Sequence, residues 1–357
     1  MASRRCGHLD EGVIEEVSAI DREIVKLLLK RLELTKSLDG ASLRLLNVEA
    51  YTGLRSALVE AGVSEPYASL FAGLYTAALS RSSGIRVAYL GPRGSFSEEA
   101  VMKVFRGVGV VLMPQNSISA VFRAVEEGDA SYGVVPLENS LEGSIGETID
   151  MLADSNLLIC GDTELRIRLN LIAKPGTRLE DIRVVVSNPY ALGQARRFIE
   201  TVLKGARVEA VSSTAEAVKI AVSSSGVAAI GSEYAAMLYG GEVLLHGIED
   251  YKENYTRFIV IGREALEVPN TSMYRTAAIF TVKHEPGALY RALQPFAERR
   301  VNLTKIESRP IKGRPWEYKF FVELEGRVSD SNVAQALEEL GKRAEFLKVL
   351  GSYPRIS

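Results

Sequence analysis

The chain has 357 residues, a quarter of them charged, with 43 Lys and Arg against 45 Asp and Glu for a formal net charge of −2. That length holds two or three domains, and the near balance of charge excludes a global field aimed at nucleic acid or an acidic membrane. No apolar run approaches the ~20 residues that span a bilayer, and the basic stretch Met1–Gly12 carries no apolar segment of the kind a secretory signal needs, so a cytoplasmic location is expected.

Residues 9 to 83 read as helical, within a first domain of residues 1–84. Val13, Val17, Ile20, Ile24, Leu27, Leu34 and Leu38 recur at alternating four- and three-residue steps, the spacing of a seam that packs against other helices. Arg31 fills the one step of the seam that lacks an apolar residue. Asp39-Gly40 is expected to end the first helix. Helices over 43–61 and 65–80 follow, the second with Pro66 in its first turn, and Ser80–Gly84 reads as a linker.

From Ile85 the pattern turns to short apolar runs alternating with helical stretches: IRVAYLG, VVLMP, YGVVPLE, LLICG, LNLIAK, RVVVS, RVEAV, VAAIG, EVLLHG and RFIVIG. Such alternation predicts an α/β fold with a mainly parallel sheet. About 180 residues is large for one sheet, so residues 85–265 are expected to form two lobes around a cleft. One lobe takes residues 85–165 plus 245–265, the other residues 166–244.

Residues 266–275 read as a second linker. The last domain, 274–357, reads strand (Ala277–Val282), helix (Gly287–Arg299), strand (Leu303–Ser308), strand (Tyr318–Glu323), helix (Asp330–Leu340), strand (Glu345–Leu350). That βαββαβ order is the ferredoxin-like α+β arrangement. The expected fold is therefore multidomain: all-α, then two-lobed α/β, then α+β.

Cys6 and Cys160 form neither a disulfide framework nor a metal motif. His8, His246 and His284 stand isolated, and no HExxH, CxxC, GxSxG or phosphate-loop pattern occurs. The expectation is chemistry without metal, nucleotide or histidine triad, and no cofactor. What remains is a set of polar clusters at strand ends of the middle region. YLGPRGSFSEEA (89–100) offers backbone N–H groups, the Ser95 and Ser97 hydroxyls and a helix N-terminus to an anion. Glu138-Asn139-Ser140, Ser187-Asn188-Pro189 with Gln194, Ser213-Thr214 and Asn254-Tyr255-Thr256-Arg257 complete the set. Ligands of open α/β sheets bind beyond the carboxyl ends of strands, and hydroxyls, amides and N–H groups suit a small polycarboxylate.

The motifs YLGPRGSFSEEA, VPLENSLEGS, SNPYALGQ, SSTAEA, GSEYAAMLYG and NYTRF occur in that order. Through them residues 86–265 closely resemble the prephenate dehydratase family. The resemblance implies two lobes like those of a periplasmic binding protein, with the site in the cleft and prephenate as substrate. The implied reaction is that of a carbon–oxygen lyase in phenylalanine biosynthesis. The ring carboxylate leaves as CO2 and the 4-hydroxyl as water, giving phenylpyruvate. Aromatisation drives this, so no electron-sink cofactor is needed. The site must help hydroxide leave and hold the pyruvyl carboxylate without gripping the departing carboxylate.

By the same resemblance Thr256 is the catalytic residue, a hydroxyl that donates to the leaving group. Glu138 is expected as proton source or electrostatic support, with Asn139 and Gln194 as orienting donors. Substrate binding is expected from Ser95, Phe96, Ser140, Ser187, Asn188, Ser213, Thr214, Arg257 and Phe258, with Arg257 either structural or a carboxylate partner.

EPGALYRAL (285–293) and VNLTKIESRP (301–310) resemble an ACT regulatory domain of the dehydratase type. The resemblance implies feedback inhibition by L-phenylalanine, bound between two such domains in a homodimer, with pairing into tetramers left open. The implied allosteric residues are Gly287, Ala288, Leu289, Asn302, Leu303, Glu307, Ser308 and Arg309. VSAIDREIVKLLLKRLEL resembles the helical chorismate mutase domain fused to many dehydratases, with Arg31 on that family's central arginine. Ile14, Ser42, Leu54-Arg55 and Ser82 stand near where further charged or amide groups belong; Lys36, Arg44 or Arg55 are the available substitutes. The inventory is two or three charges short, so weak or absent mutase activity is expected, the fold serving packing or dimerisation. The competing readings are a bifunctional mutase–dehydratase, an arogenate dehydratase, and a non-catalytic amino-acid sensor.

Overall fold

The computed structural model describes residues 11–35, 40–65, 67–69, 71–72, 75, 85–106, 109–264, 273–311 and 313–356. The chain divides into a helical unit, residues 1–84 with 105–110, and a larger unit formed by the rest. In the helical unit, α1 runs Glu11–Leu34 and α2 Gly40–Glu60. The first helix ends earlier than Asp39. The Thr35 N–H and hydroxyl both bond the Arg31 carbonyl, at 3.1 and 3.0 Å, and so close its last turn, while Gly40 opens α2. The third stretch is helical where described, and the Ser80–Gly84 linker lies outside the described residues. The seam residues Ile20, Ile24, Leu27 and Leu34 stay exposed.

The larger unit holds three sheets. β1 (Arg86–Leu90), β2 (Val111–Gln115), β3 (Tyr132–Asn139), the two-residue β4 (Gly143–Ser144) and β5 (Leu158–Arg166) begin the first. The chain then builds a second sheet from β6 (Asn170–Ala173), β7 (Val184–Ser187), β8 (Arg207–Ala210), β9 (Val227–Gly231) and β10 (Glu242–Leu245). It returns through β11 (Tyr255–Gly262), which inserts between β3 and β5. The orders are β2-β1-β3-β11-β5 and β8-β7-β9-β6-β10. Each sheet joins two parallel pairs to two antiparallel ones along its path, rather than being mainly parallel. The reason is the crossing between lobes, which makes β6 and β11 enter their sheets from the far end. The helices α3 (Phe96–Val104), α4 (Ile118–Glu126), α5 (Gly146–Asp154), α6 (Pro189–Gln194), α7 (Arg196–Val202), α8 (Thr214–Ser223) and α9 (Glu233–Tyr239) accompany these strands.

The third sheet is β12 (Tyr274–Thr281), β13 (Leu303–Pro310), β14 (Tyr318–Glu325) and β15 (Phe346–Pro354), antiparallel in the order β13-β14-β12-β15. With α10 (Ala288–Glu298) and α11 (Ser331–Arg343) it gives the βαββαβ order. β12 begins inside the stretch read as a linker, and β15 runs on to Pro354 past a register shift opposite Ala277 and Ala278. Phe280, Val322, Phe296 and Leu337 pack between this sheet and its helices. The alternate residues Ala277, Ile279, Phe321 and Tyr353 join Val135, Leu137 and Ile259 in one core with the first lobe. Strand alternation therefore makes this sheet the middle layer between its own helices and the first lobe. Gly351 marks how close that contact is: its φ is +126°, and a Cβ there would lie 2.7 Å from the Ile159 carbonyl oxygen. No described helix is long and apolar enough to cross a membrane.

Candidate active site

A cleft of about 1090 Å³ opens between the two lobes. Three of the helices that begin on it carry at the head a polar residue that lines the cleft. The Ser95 hydroxyl accepts from the Glu98 N–H at 3.3 Å, Asn188 Oδ1 from the Ala191 N–H at 2.7 Å, and the Ser213 hydroxyl from the Glu216 N–H at 3.1 Å. Each cap satisfies one N–H of the first turn, and others remain for an anion. Ser95, Phe96, Asn188, Ser213 and Thr214 all line the cleft.

The floor is made by β3 and β11. Thr256 pairs with Asn139 and Arg257 with Glu138, but Phe258 pairs with Pro136, so Leu137 is the extra residue of a bulge. In an unbroken ladder Glu138 would share the cleft face with Pro136. The bulge instead sends Asn139 to that face, beside Thr256, Phe258 and Pro136. Asn139 Oδ1 accepts the Leu141 and Glu142 N–H groups at 2.9 and 3.1 Å, which fixes the orientation of its amide. Its Nδ2 therefore donates to Thr256 Oγ1 at 2.9 Å and to Asn254 Oδ1 at 2.9 Å. Asn254, fully buried, in turn donates to Gln194 Oε1 at 2.9 Å. The chain Gln194–Asn254–Asn139–Thr256 leaves two donors for the cleft, the Gln194 amide and the Thr256 hydroxyl.

Four expected site residues do not line the cleft. Glu138 turns to the opposite face, where Lys305 Nζ meets its carboxylate at 2.8 Å, so it is not positioned as a proton source for the cleft. Arg257 likewise points away from the cleft and pairs with Glu323. Ser187 is buried and donates to the Ile230 carbonyl at 2.6 Å. The Ser140 hydroxyl accepts the Tyr255 N–H at 2.9 Å and closes the end of the β3–β11 pair.

Sequence reasoning missed Arg93 and Asn254. Arg93 is the one cation among the described residues that line the cleft. Its loop is held by the buried Glu98 carboxylate, which accepts the Gly94 N–H at 3.0 Å and the Tyr89 and Tyr234 hydroxyls at 2.6 and 2.8 Å. Burial, reinforced by Glu98, pushes both tyrosine pKa values up and keeps them as neutral donors. Gly94 has φ +80°, and a Cβ would come within 3.0 Å of the Tyr239 ring. Tyr239 donates to the Arg93 carbonyl at 2.7 Å. Asn254 announced itself only as an amide in front of a buried strand. No group of three or more His, Cys, Asp or Glu is placed to hold a metal among the described residues.

In the third sheet's domain, Gly287 caps α10 with φ +79° and no side-chain cap, and the Ala288 N–H donates to the Glu285 carbonyl at 3.2 Å. Asn302 and Leu303 lie beside Leu324 and Glu325 at the opposite end of the sheet. One chain therefore does not bring the two groups together. Ser308, on the edge strand β13, pairs with Phe320. Glu307 accepts the Ser144 hydroxyl at 3.1 Å and Arg309 meets Asp150 at 3.1 Å, so both reach the first lobe. Burial alone would raise the Asp150 pKa, but hydrogen bonds from Arg309 and Lys319 outweigh it and hold the carboxyl below its ordinary value. Arg31 occupies the last turn of α1, and Arg55 pairs with Glu65 at 2.5 Å. The side chains of Ile14, Lys36, Ser42, Arg44 and Ser82 lie outside the described residues.

A two-lobed α/β unit with a polar cleft, backed by a βαββαβ module, is the architecture of a small-molecule enzyme carrying its own regulatory domain. Family models for prephenate dehydratase match residues 87–266 and for the ACT domain residues 276–342. The chain is 38% identical over 362 residues to the bifunctional chorismate mutase/prephenate dehydratase of Aquifex aeolicus, covering 96% of each. It is 35% identical over 280 residues to the prephenate dehydratase of Mycobacterium bovis, covering 76% of this chain and 87% of the relative. The solved prephenate dehydratase of Arthrobacter aurescens in complex with L-Phe matches with a TM-score of 0.70 at 32% identity, covering 76% and 90%. The chain belongs to the prephenate dehydratase family. It is a lyase of aromatic amino acid biosynthesis with a C-terminal ACT domain.

Proposed function

We propose that dehydration and decarboxylation of prephenate occur on the β3–β11 floor, with Thr256 donating to the departing hydroxyl. One observation carries this: Asn139 Nδ2 donates to Thr256 Oγ1, so the threonine's own proton is left to donate into the cleft. The ring C–COO⁻ bond breaks, its electron pair enters the ring, and the C4–O bond breaks toward the hydroxyl. Carbon dioxide leaves, and the hydroxide departs under hydrogen bonds and takes a proton from solvent to become water. A hydroxyl donor cannot supply that proton outright at neutral pH, so its role is stabilisation of developing negative charge. The Gln194 amide is the second donor. Arg93 and the N-termini of α3 and α8 hold the pyruvyl carboxylate, while the apolar Phe258 and Pro136 surface avoids stabilising the carboxylate that must leave. Thr256→Ala should lower kcat by about a hundred- to a thousandfold with KM within a few-fold. Normal turnover, measured as phenylpyruvate formed from prephenate, would falsify the assignment.

L-phenylalanine binding at the ACT domain is the regulatory part of this reading. The uncapped α10 start supports it, as does the Arthrobacter relative's complex with L-Phe. Gly287–Leu289 and Asn302–Leu303 lie at opposite ends of one ACT sheet, so a site using both groups requires a second chain across the edge strand β13. That supports a homodimer, as does the exposed α1 seam. Sedimentation with and without L-phenylalanine tests it, and a monomer under both conditions removes the two-chain site. The helical unit is read as a mutase fold of weak or no activity. Product from prephenate but none from chorismate is the expected result.

A further inference from the structure

Arg257 is next to the proposed catalytic threonine, yet it is turned from the cleft and only 13% of its side chain is exposed. Its Nη2 donates to Glu323 Oε1, and its Nε lies 3.7 Å from Asp162 Oδ2. Glu323 belongs to β14 of the ACT domain and is completely buried, on the same face as the apolar Phe321 that packs on the first lobe. The Tyr353 hydroxyl also donates to Glu323 Oε1. Arg275 of β12 meets Asp162 Oδ2 at 2.7 Å, so two cations and two carboxylates balance at the domain contact. Burial alone would lower the Arg257 pKa, but Glu323, Tyr353 and Asp162 outweigh it and push it up.

The neighbouring strand is held in the same way. Lys305 of β13 bonds the Glu138 carboxylate at 2.8 Å and the Ser144 hydroxyl at 2.7 Å. Arg257 and Glu138 face each other across the ladder, immediately before the register slips at Leu137. The two ACT contacts thus grip both strands at the bulge that turns Asn139 toward Thr256. A contact meant only to stabilise the interface would gain as much from apolar side chains, since burying an ion pair costs desolvation that its attraction barely offsets. What charges add here is direction: each draws one side chain of the bulge to a fixed point.

We propose that Glu323 of the ACT domain is a positioning residue for the dehydratase reaction, acting through Arg257 on the placement of Thr256. This rests on the reading of Thr256 as the donor to the leaving hydroxyl. A misplacement of ~1 Å at a reacting group is worth about a hundredfold in rate, so a loosened bulge shows in kcat before it shows in substrate binding.

The experiment measures kcat and KM for prephenate in the full-length protein and in Glu323→Gln, Glu323→Asp, Arg257→Met and the double variant Arg257→Met/Glu323→Gln, with thermal unfolding of each. Thr256→Ala runs alongside. Glu323→Gln and Arg257→Met should each lower kcat about tenfold with KM within twofold, and Glu323→Asp should recover part of the loss. The double variant should be no slower than the slower single one, because both changes break one interaction. It also removes one charge of each sign, so it stays informative if a single variant with an unpaired buried charge fails to fold. A kcat within twofold of the parent in folded Glu323→Gln or in the double variant overturns the proposal, as do losses that multiply in the double variant. If Thr256→Ala is crippled while Glu323→Gln is normal, the positioning role alone falls. If Thr256→Ala is normal, the reading of Thr256 falls with it.

Discussion

The two lobes are built on one plan and do different work. Their sheets share the order of strands, two parallel pairs followed by two antiparallel ones, with the returning strand inserted at the same place. The second lobe contributes helix starts to the cleft, at Asn188 and at Ser213-Thr214. The first adds the hydroxyl and amides of the β3–β11 floor, and its opposite face carries the ACT domain. Ser144, Asp150, Asp162, Glu164 and Arg257 of the first lobe all bond ACT residues. Lys348 also reaches its Leu152 and Ser155 carbonyls. Identical topology therefore does not fix a division of labour. What differs is what each sheet carries: the first lobe holds the β3–β11 floor with the ACT domain behind it, while both lobes present helix starts to the cleft.

That contrast can be broken where the lobes meet. Asn254→Leu removes the buried amide between Gln194 of the second lobe and Asn139 of the first, leaving each of these half-buried partners one bond short. At about 1–3 kcal/mol for such a loss, kcat should fall roughly ten- to a hundredfold. An unchanged kcat would show that the floor needs no support from the other lobe. Asp150→Asn acts on the regulated side alone. It weakens the grip on Arg309 and Lys319, and the L-phenylalanine concentration for half inhibition should rise about tenfold, within the usual range of coupling energies, while uninhibited turnover stays within twofold. Equal inhibition curves would assign the coupling elsewhere.

Ser213→Ala tests the second lobe as a binding element. The loss of a cap is worth about 1 kcal/mol, so KM should rise about fivefold with kcat little changed. A fall in kcat instead would give the Ser213 helix start a part in the chemical step. The smallest effect concerns stability. Burial first, and then Glu233 of the second lobe, push the Glu99 carboxyl up to about 7 from its ordinary 4.5, against a lowering by Lys103. The unfolded chain gives up this proton first, so the contribution to stability falls as pH rises from 4.5 to 7 and is fully lost above that. Glu99→Gln should flatten that fall and raise Tm at pH 8 by about 2–4 °C. No difference between pH 5 and pH 8 would mean that the lobes feel no charge across this contact.

Much of this could be read from the residues, for reasons that differ along the chain. Apolar runs such as FIVIG and VVVS mark strands by burial alone, and the βαββαβ order follows from periods of two and 3.6 in short succession. The directions of β6 and β11 could not be read, because an apolar run carries no sign of which way it enters a sheet. Polar residues at strand ends located the cleft, and nine of the thirteen residues expected there line it. Glu138 went astray because its direction depends on a bulge at Leu137 in a stretch, VVPLENS, with no glycine to announce it, whereas Arg257 is turned away by plain strand alternation between Thr256 and Phe258. Ser187 misled differently: a serine at a strand end served a buried carbonyl instead of the ligand.

Leu137 also has a consequence for how such chains are compared with one another. A single deletion there would leave the core composition, the helices and the motif letters almost untouched, and an aligner would score it as a trivial gap. Physically it would straighten the strand: with Leu137 gone, plain alternation would place Pro136 and Asn139 on the cleft face and Glu138 on the other, the arrangement that the bulge now produces. For relatives of this protein, the number of residues between the proline and the asparagine therefore tells whether the strand is bulged, which the presence of both does not.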